Sequence, residues 1–230
     1  MVHDKLREAI LVGDVAPGAV MSQVALAQQL NIGRGPVREA VRLLQSEGLV
    51  HVEPNRRFRI SELSGPDAEE LYVLRIMVET SAVRLTVPAF TSHDIAELEG
   101  YMAQMDHYGR DEDWASLRVP HRAFHRKLTQ GAGPRTMQMI NELFYHGERY
   151  RLAQVAATEQ QWGLRQSEHR TIVGAAARQD AERTADLLAS HYARTARMVI
   201  AGSGTDHDAR RLRGLLRVTF PSAEAALDAA

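Results

Sequence analysis

LAQQLNIGRGPVREAVRLLQSEGLVHVEPNRRFRI, residues 26–60, is the stretch that decides the fold class. It reads as a helix, a tight turn, a second helix and a two-stranded hairpin. Ser22 is placed to cap a short first helix, residues 23–30, whose Val24, Ala25 and Leu26 supply apolar contacts. Asn31, Ile32 and Gly33 make the turn. Gly35 and Pro36 open the second helix, because proline there forfeits only a donor that has no partner in the first turn. Val37, Ala40, Val41 and Leu44 fall at i, i+3, i+4 and i+7 and form one core-facing stripe. Arg34, Arg38 and Arg42 fall at i, i+4 and i+8 on another face, and Gly48 is placed to end the helix. Residues 49–52 alternate as a strand, Glu53, Pro54 and Asn55 turn, and residues 58–60 return. An arginine row alone is usually a solvated face. The ordered cap, turn, Pro-opened helix, Gly stop and hairpin make this one a helix that a major groove accepts. The DNA-contacting set is Arg34, Gly35, Arg38 and Arg42 on the helix with Asn55, Arg56 and Arg57 at the hairpin tip. Arg59, also on the hairpin, stands within reach of a phosphate or a minor groove.

Residues 5–63 resemble the winged-helix domain of the GntR family of bacterial transcription regulators. The matching pieces are LREAILVGDVAPGAVMS, LAQQL, GRGPVREAVRLLQSEGLV and EPNRRFRI, in that order. Two departures stand out. Gly33 and Gly35 occupy places where the resemblance implies phosphate-contacting hydroxyls, and Arg56-Arg57 stands where it implies Arg-Gly.

Composition fits two modest domains: 230 residues, 44% hydrophobic, with 6% aromatics, so the core is built from aliphatic residues. Formal net charge is only -1, and residues 1–63 carry eight Lys+Arg against seven Asp+Glu. No global basic field exists, so DNA affinity has to come from local clustering and depend on salt. The absence of cysteine excludes disulfides and thiolate metal sites. The N-terminus is too charged for a signal peptide and no apolar run approaches a membrane span, so a cytoplasmic protein without membrane contact is expected.

The fold expected is mainly α: a winged helix-turn-helix domain over residues 1–63, an all-α antiparallel helical bundle over 67–202, and a tail over 203–230. SELSGP, residues 61–66, is the hinge. Helices are expected over residues 67–86, with Leu71, Leu74, Val78 and Leu85 apolar, from the Thr91–Asp94 cap to about 108, and over 115–129, with Pro120 starting or kinking its final part. Further helices cover about 135–157, 164–178 and 180–201.

Histidines distinguish this bundle. His121 and His125, four apart, project from one helical face. His169 shares a stripe with Ile172, Val173 and Ala176, and His191 shares one with Leu187, Leu188, Thr195 and Met198, so both point inward. Four imidazoles directed into one bundle suit Zn, Ni, Cu or Fe rather than Mg or Ca. Each of them also fits a hydrogen-bonded core histidine.

Residues 67–202 resemble the FCD effector domain of the FadR subfamily of GntR regulators, through LRIMVETSAVRL, PHRAFHRKL and SEHRTIVGAAARQDAERTADLLASHY. The resemblance implies a divalent metal held by one Asp and three His, with a small carboxylate completing the coordination. His125, His169 and His191 match the three histidines, and His121 stands where the aspartate would be. A neutral all-histidine set leans towards Zn, with Ni as the alternative, and favours an anionic effector. Arg75 matches an arginine of the family's first effector-domain helix and is the leading effector-binding residue; pairing with Glu79 on the surface is its other reading. Arg149, Arg151, Tyr145 and Tyr150 are weaker pocket candidates.

The resemblance thus implies a ligand-responsive regulator, a repressor, whose homodimer binds a palindromic operator and responds to a small carboxylate. An effector-insensitive DNA-binding dimer with a metal-free bundle is the alternative. A zinc hydrolase is a poor one, since HRAFH has Arg122 where a metalloprotease helix needs its glutamate. The tail carries Arg210 to Arg217 with Leu212, Leu215 and Leu216 between. It is expected as a frayed terminus, or else as an amphipathic helix on a partner subunit.

Overall fold

The computed structural model describes residues 2–153, 162–204 and 207–228. They form two compact units, one of Met1–Leu63 with Glu148–Ala153, the other of Ser64–Gly147 with Gln154–Ala230.

The first unit holds α1 (Val2–Val12), β1 (Val20–Ser22), α2 (Gln23–Gln29), α3 (Arg34–Ser46), β2 (Val50–Glu53) and β3 (Arg57–Ile60). Ser22 caps α2, its hydroxyl accepting from the Ala25 amide at 3.3 Å. Leu26 and Ala27 are buried from α2, whereas Ala25, expected as an apolar contact, is exposed. α3 begins at Arg34, so Pro36 lies inside its first turn, where the amide it lacks has no helical acceptor. Val37, Ala40, Val41 and Leu44 are buried as the spacing predicts, against Leu6, Ile10 and Leu11 of α1. Gly48, at φ +71°, closes α3. Its amide donates to Gln45 O at 3.0 Å and the Leu49 amide to Leu44 O at 2.9 Å, a Schellman stop sealed by two buried leucines.

Sequence reading misses β1. The sheet runs β1-β3-β2, antiparallel throughout, with Met21 opposite Phe58 and Val52 opposite Phe58 on the other side. A three-residue strand has too little alternation to read, and it pairs only because β3 buries Phe58 and Ile60 beside it.

The second unit is helical among its described residues: α4 (Gly65–Thr86), α5 (Ser92–Arg110), α6 (Trp114–Thr129), α7 (Pro134–Leu152, its last turn counted with the first unit), α8 (Trp162–Ala177), α9 (Ala181–Gly202), α10 (Arg210–Thr219) and α11 (Pro221–Asp228). The helix expected to run on to residue 157 reaches, at 154–157, outside the described residues. Thr91 and Asp94 form a reciprocal capping box for α5. Pro120 neither starts nor divides a helix; α6 runs through it. α9 packs along α4, and α5 packs against α6 and α8.

Two expectations fail here. On α4, Leu71 is buried but Leu74 and Leu85 are 41% and 66% exposed. The inward face is instead Ala68, Tyr72, Arg75, Ile76, Glu79 and Val83, because its polar members satisfy one another inside the bundle. The tail does not fray where it is described. Leu212, Leu216 and Phe220 are buried, and the carboxylate of Glu69 on α4 accepts from the Arg211 amide at 2.6 Å, the Leu212 amide at 3.1 Å and His207 Nε2 at 2.8 Å. That carboxylate caps α10 and ties it to α4, a contact with no local sequence signature.

Candidate metal centre and nucleic-acid interface

Within the second unit, α6 presents His121 and His125 with ring centroids 4.7 Å apart. α8 brings His169 to 5.7 Å from His121 and 5.6 Å from His125. The nitrogens of these three lie within 4.8 Å of one another. His191 of α9 stands beside them, 4.8 Å from the His169 ring and 5.6 Å from that of His125. His125, His169 and His191 are buried, and His121 is half-buried. The bundle therefore gathers all four sequence-predicted histidines, three of them in a tight group.

What surrounds the rings sets which nitrogen each can offer. Gln166 Nε2 donates to Asp106 Oδ1 at 2.6 Å, so its carbonyl oxygen faces His169 Nδ1 at 3.1 Å. His169 must then carry its proton on Nδ1 and a lone pair on Nε2, and that Nε2 is buried with no hydrogen-bond partner among the described residues. The Tyr192 hydroxyl gives its one proton to Glu79 Oε2 at 2.6 Å and accepts from Arg75 Nη2 at 2.9 Å. His125 Nδ1, 3.1 Å from that hydroxyl, is then also a donor, which puts the ring's lone pair on Nε2. His191 Nδ1 lies 2.6 Å from Glu168 Oε2, and Arg194 Nε donates to the other oxygen. Three imidazoles are thus held by Nδ1 partners in the manner of metal-ligating histidines.

The electrostatics agree. Burial, with the charges of His191 and Arg165 adding to it, holds His169 well below the ordinary imidazole value, so it is neutral and able to ligate. Burial pushes the Tyr192 phenol up, so it stays protonated. Burial would raise Glu168, but hydrogen bonding to His191 and the charges of His191 and Arg194 outweigh that and lower it. A buried lone pair with nothing to accept and a neutral all-nitrogen donor set fit a borderline transition metal. His121, His125 and His169 would hold it, with His191 adjacent.

Arg75 is not on the surface. It is 5% exposed, with Nε 2.7 Å from Glu79 Oε1 and its guanidinium 4.2 Å from the centre of the Tyr192 ring. Burial would lower it, but Glu79 and the two tyrosines raise it, so it stays charged and neutralises Glu79. A Cβ on Gly147 of α7 would fall 2.8 Å from its Nη1, so the absent side chain makes room for the guanidinium. Tyr145 is half-buried under Arg122, 4.4 Å from ring centre to guanidinium carbon. Arg149, Arg151 and Tyr150 belong to the first unit: Arg149 donates to Ser61 O at 2.6 Å and Arg151 pairs with Glu148 at 2.8 Å.

In the first unit, Arg34, Arg38 and Arg42 are exposed along α3, with Arg42 paired to Glu39 at 2.6 Å. Gly35 is exposed, and a Cβ there would meet nothing within 4 Å. Asn55 and Arg56 form the hairpin tip at φ +61° and +56°, and Arg57 comes next, exposed. Arg59, the further hairpin arginine, donates to Glu53 Oε1 at 2.8 Å and Gly18 O at 3.1 Å.

The family model for "Bacterial regulatory proteins, gntR family" matches residues 1–60, and that for the FCD domain matches residues 70–194, over half of the chain. This chain belongs to the GntR family. Its relatives carry the names of transcriptional regulators. This GntR protein is 29% identical over 143 residues to the HTH-type transcriptional regulator YdhC of Bacillus subtilis, covering 61% of this chain and 63% of that one. It is 34% identical over 112 residues to the Nta operon transcriptional regulator of Aminobacter aminovorans, covering 49% and 53%. The matches thus span less than two thirds of those relatives' lengths. Escherichia coli McbR/YncC shares the fold, with a TM-score of 0.73 at 23% identity over 87% of this chain and 96% of that one. No helix among the described residues is long and apolar enough to cross a membrane. Sequence reading of this GntR protein missed Gln166, Glu168 and Tyr192, and named Glu79 only as a surface partner of Arg75. The available signal was polar residues recurring on inward faces: Arg75 and Glu79 four apart, Gln166 and His169 three apart.

Proposed function

We propose that this protein is a cytoplasmic, ligand-responsive repressor whose homodimer binds a palindromic operator and whose helical domain senses a small carboxylate at a metal-containing site. Residues 1–63 form the DNA-binding domain and 67–202 the effector and dimerisation domain. The observation that carries the reading is the buried, partnerless Nε2 of His169 beside His121 and His125. A bound divalent transition metal, zinc first and nickel second, supplies a Lewis-acidic centre that attracts an anionic oxygen ligand. Gln166, Tyr192 and Glu168 hold the imidazoles in ligating tautomers.

Arg34, Arg38 and Arg42 would enter the groove, Gly35 would let the α3 backbone approach, and Asn55, Arg56 and Arg57 would contact the flanking backbone. Dimerisation has a candidate surface in Leu74, Met77 and Leu85, which leave an exposed apolar line along α4. The repressor assignment is supported by relatives named as repressors, among them GlaR of Escherichia coli, 25% identical over 200 residues. An effector shifts DNA affinity only as far as it favours one arrangement of the dimer over the other. Arg75, the effector-binding residue the resemblance implies, is buried with its guanidinium donating to Glu79 and to the Tyr192 hydroxyl, which itself lies against His125.

The test is metal content per chain on untagged protein purified without chelator, with His169→Ala in parallel. About one transition metal per chain is expected, lost in the variant while operator binding persists. A metal-free wild type, or full occupancy in His169→Ala, would overturn the site and leave an effector-insensitive DNA-binding dimer.

A further inference from the structure

Gly35, Glu39, Arg42 and Ser46 fall at i, i+4, i+7 and i+11 on α3 and are all exposed. At about 3.6 residues per turn they lie opposite the buried stripe of Val37, Ala40, Val41 and Leu44, with Arg34 and Arg38 to one side of the line. Both oxygens of Glu39 are taken by Arg42, whose Nε donates to Oε2 at 3.0 Å and Nη2 to Oε1 at 2.6 Å. Arg42 and Glu39 are 66% and 57% exposed, so the pair adds little to the stability of the fold. Hydrogen bonding to Arg42 holds the Glu39 carboxyl below its ordinary value, so the acid stays charged. The other edge of the guanidinium, Nη1 with the second hydrogen of Nη2, has no partner among the described residues.

We infer that Glu39 is a positioning residue that turns the free edge of Arg42 outward to read a guanine in the major groove. The inference rests on the reading of α3 as the helix that enters the groove. Two parallel N–H groups on that edge match O6 and N7 of guanine, a pairing that discriminates against the other bases. A guanidinium free to swing contacts phosphates as readily as bases, whereas one clamped along its Nε edge presents a single direction. Arg34 and Arg38, with no ion pair among the described residues, are of the first kind. Gly33 and Gly35 leave the first turn without the hydroxyls that the family resemblance implies, so selection passes to the next side chains on the outward line, Glu39 and Arg42. A carboxylate facing DNA opposes the binding of every sequence alike, so what Glu39 adds is selectivity, and it adds it through Arg42.

The experiment is selection of bound duplexes from a randomised DNA pool by the full chain, in wild type, Glu39→Gln, Arg42→Lys and the double variant. Each protein is then titrated with the duplex that wild type selects, with the same duplex carrying A·T at the guanine in question, and with unselected duplex. Wild type should select a guanine, at one position or a symmetric pair, that Arg42→Lys no longer selects. Exchanging that guanine should weaken wild-type binding about tenfold. In Glu39→Gln the same exchange should cost no more than about threefold, while unselected duplex binds more tightly because a negative charge is gone. The double variant should discriminate no less than Arg42→Lys alone, since the two side chains act as one unit. A Glu39→Gln protein that binds every duplex more tightly with its motif unchanged would overturn the inference, as would an unchanged motif in Arg42→Lys. So would loss in Glu39→Gln of a cytosine preference that Arg42→Lys keeps, which would make Glu39 itself the reader. If wild type enriches no sequence, α3 fails as the reading helix, and this inference with it.

Discussion

Gln166 shows how one side chain settles the chemistry of another. Its amide nitrogen is turned to Asp106, which leaves its oxygen facing His169, and the proton of His169 is placed as a result. Tyr192 does the same for His125 because Glu79 takes its single proton. Replacing Tyr192 with Phe keeps the ring against Arg75 and removes the acceptor. Metal affinity should fall about 10–100-fold, read by competition with a chelator of known affinity. An unchanged affinity would mean that the hydroxyl does not set the His125 tautomer. Glu69 works at the same scale. Burial would raise its carboxyl, but the Leu212 amide, His207 and the Arg211 amide together lower it. A carboxylate with a depressed folded value contributes stability above the ordinary value of 4.5 and loses it as pH falls through its folded value. In Glu69→Gln, the steepening of acid unfolding below pH 4.5 should be smaller than in wild type, measured by circular dichroism. The histidines were legible by spacing, but their partners were not, because Asp106 and Gln166 meet across 60 positions and Tyr192 and Glu79 across 113.

Helices and their ends carry the next set of consequences. α3 is legible nearly to the residue, since its stripe, its proline and its glycine stop are all local. Gly48 sits at φ +71°, so Gly48→Ala should cost about 1–2 kcal/mol by denaturant unfolding. Arg38→Ala should abolish specific operator binding without changing the melting temperature, measured by electrophoretic shift and thermal unfolding. Retained specific binding would remove α3 as the reading element. α5 meets α8 through a glycine: a Cβ on Gly109 would fall 2.3 Å from the Trp162 indole, which also packs edge-on to Trp114 at 5.8 Å. Gly109→Ala should therefore destabilise by about 1–3 kcal/mol and shift the tryptophan emission. α4 misled the apolar count for a physical reason. Its buried face is built around Arg75 and Glu79, so hydrophobicity alone points to the wrong side.

At the scale of the whole molecule, a formal net charge of -1 leaves DNA binding to clustered arginines. Operator affinity should then fall steeply with added salt, with a slope near -0.9 per phosphate contacted. The C-terminal segment belongs to this scale too. Removing residues 205–230 strips buried Leu212, Leu216 and Phe220 from the second unit, where each contributes about 1.5–3 kcal/mol. The shortened chain should melt well below the full one, and equal melting temperatures would return the tail to the role of a loose end. The amino-acid sequence by itself determined the winged helix-turn-helix, the helical character of residues 67–202, the inward histidines and the family. All of these rest on periodicity, caps, turns and short motifs that act within a few residues. Only the tertiary structure decided that β1 completes the sheet, that Arg75 is buried against Glu79, that Arg59 is engaged within the wing and that the tail is docked. Each of those depends on groups brought together from distant parts of the chain, where hydrogen-bond satisfaction and burial choose the partner and local propensity has no say.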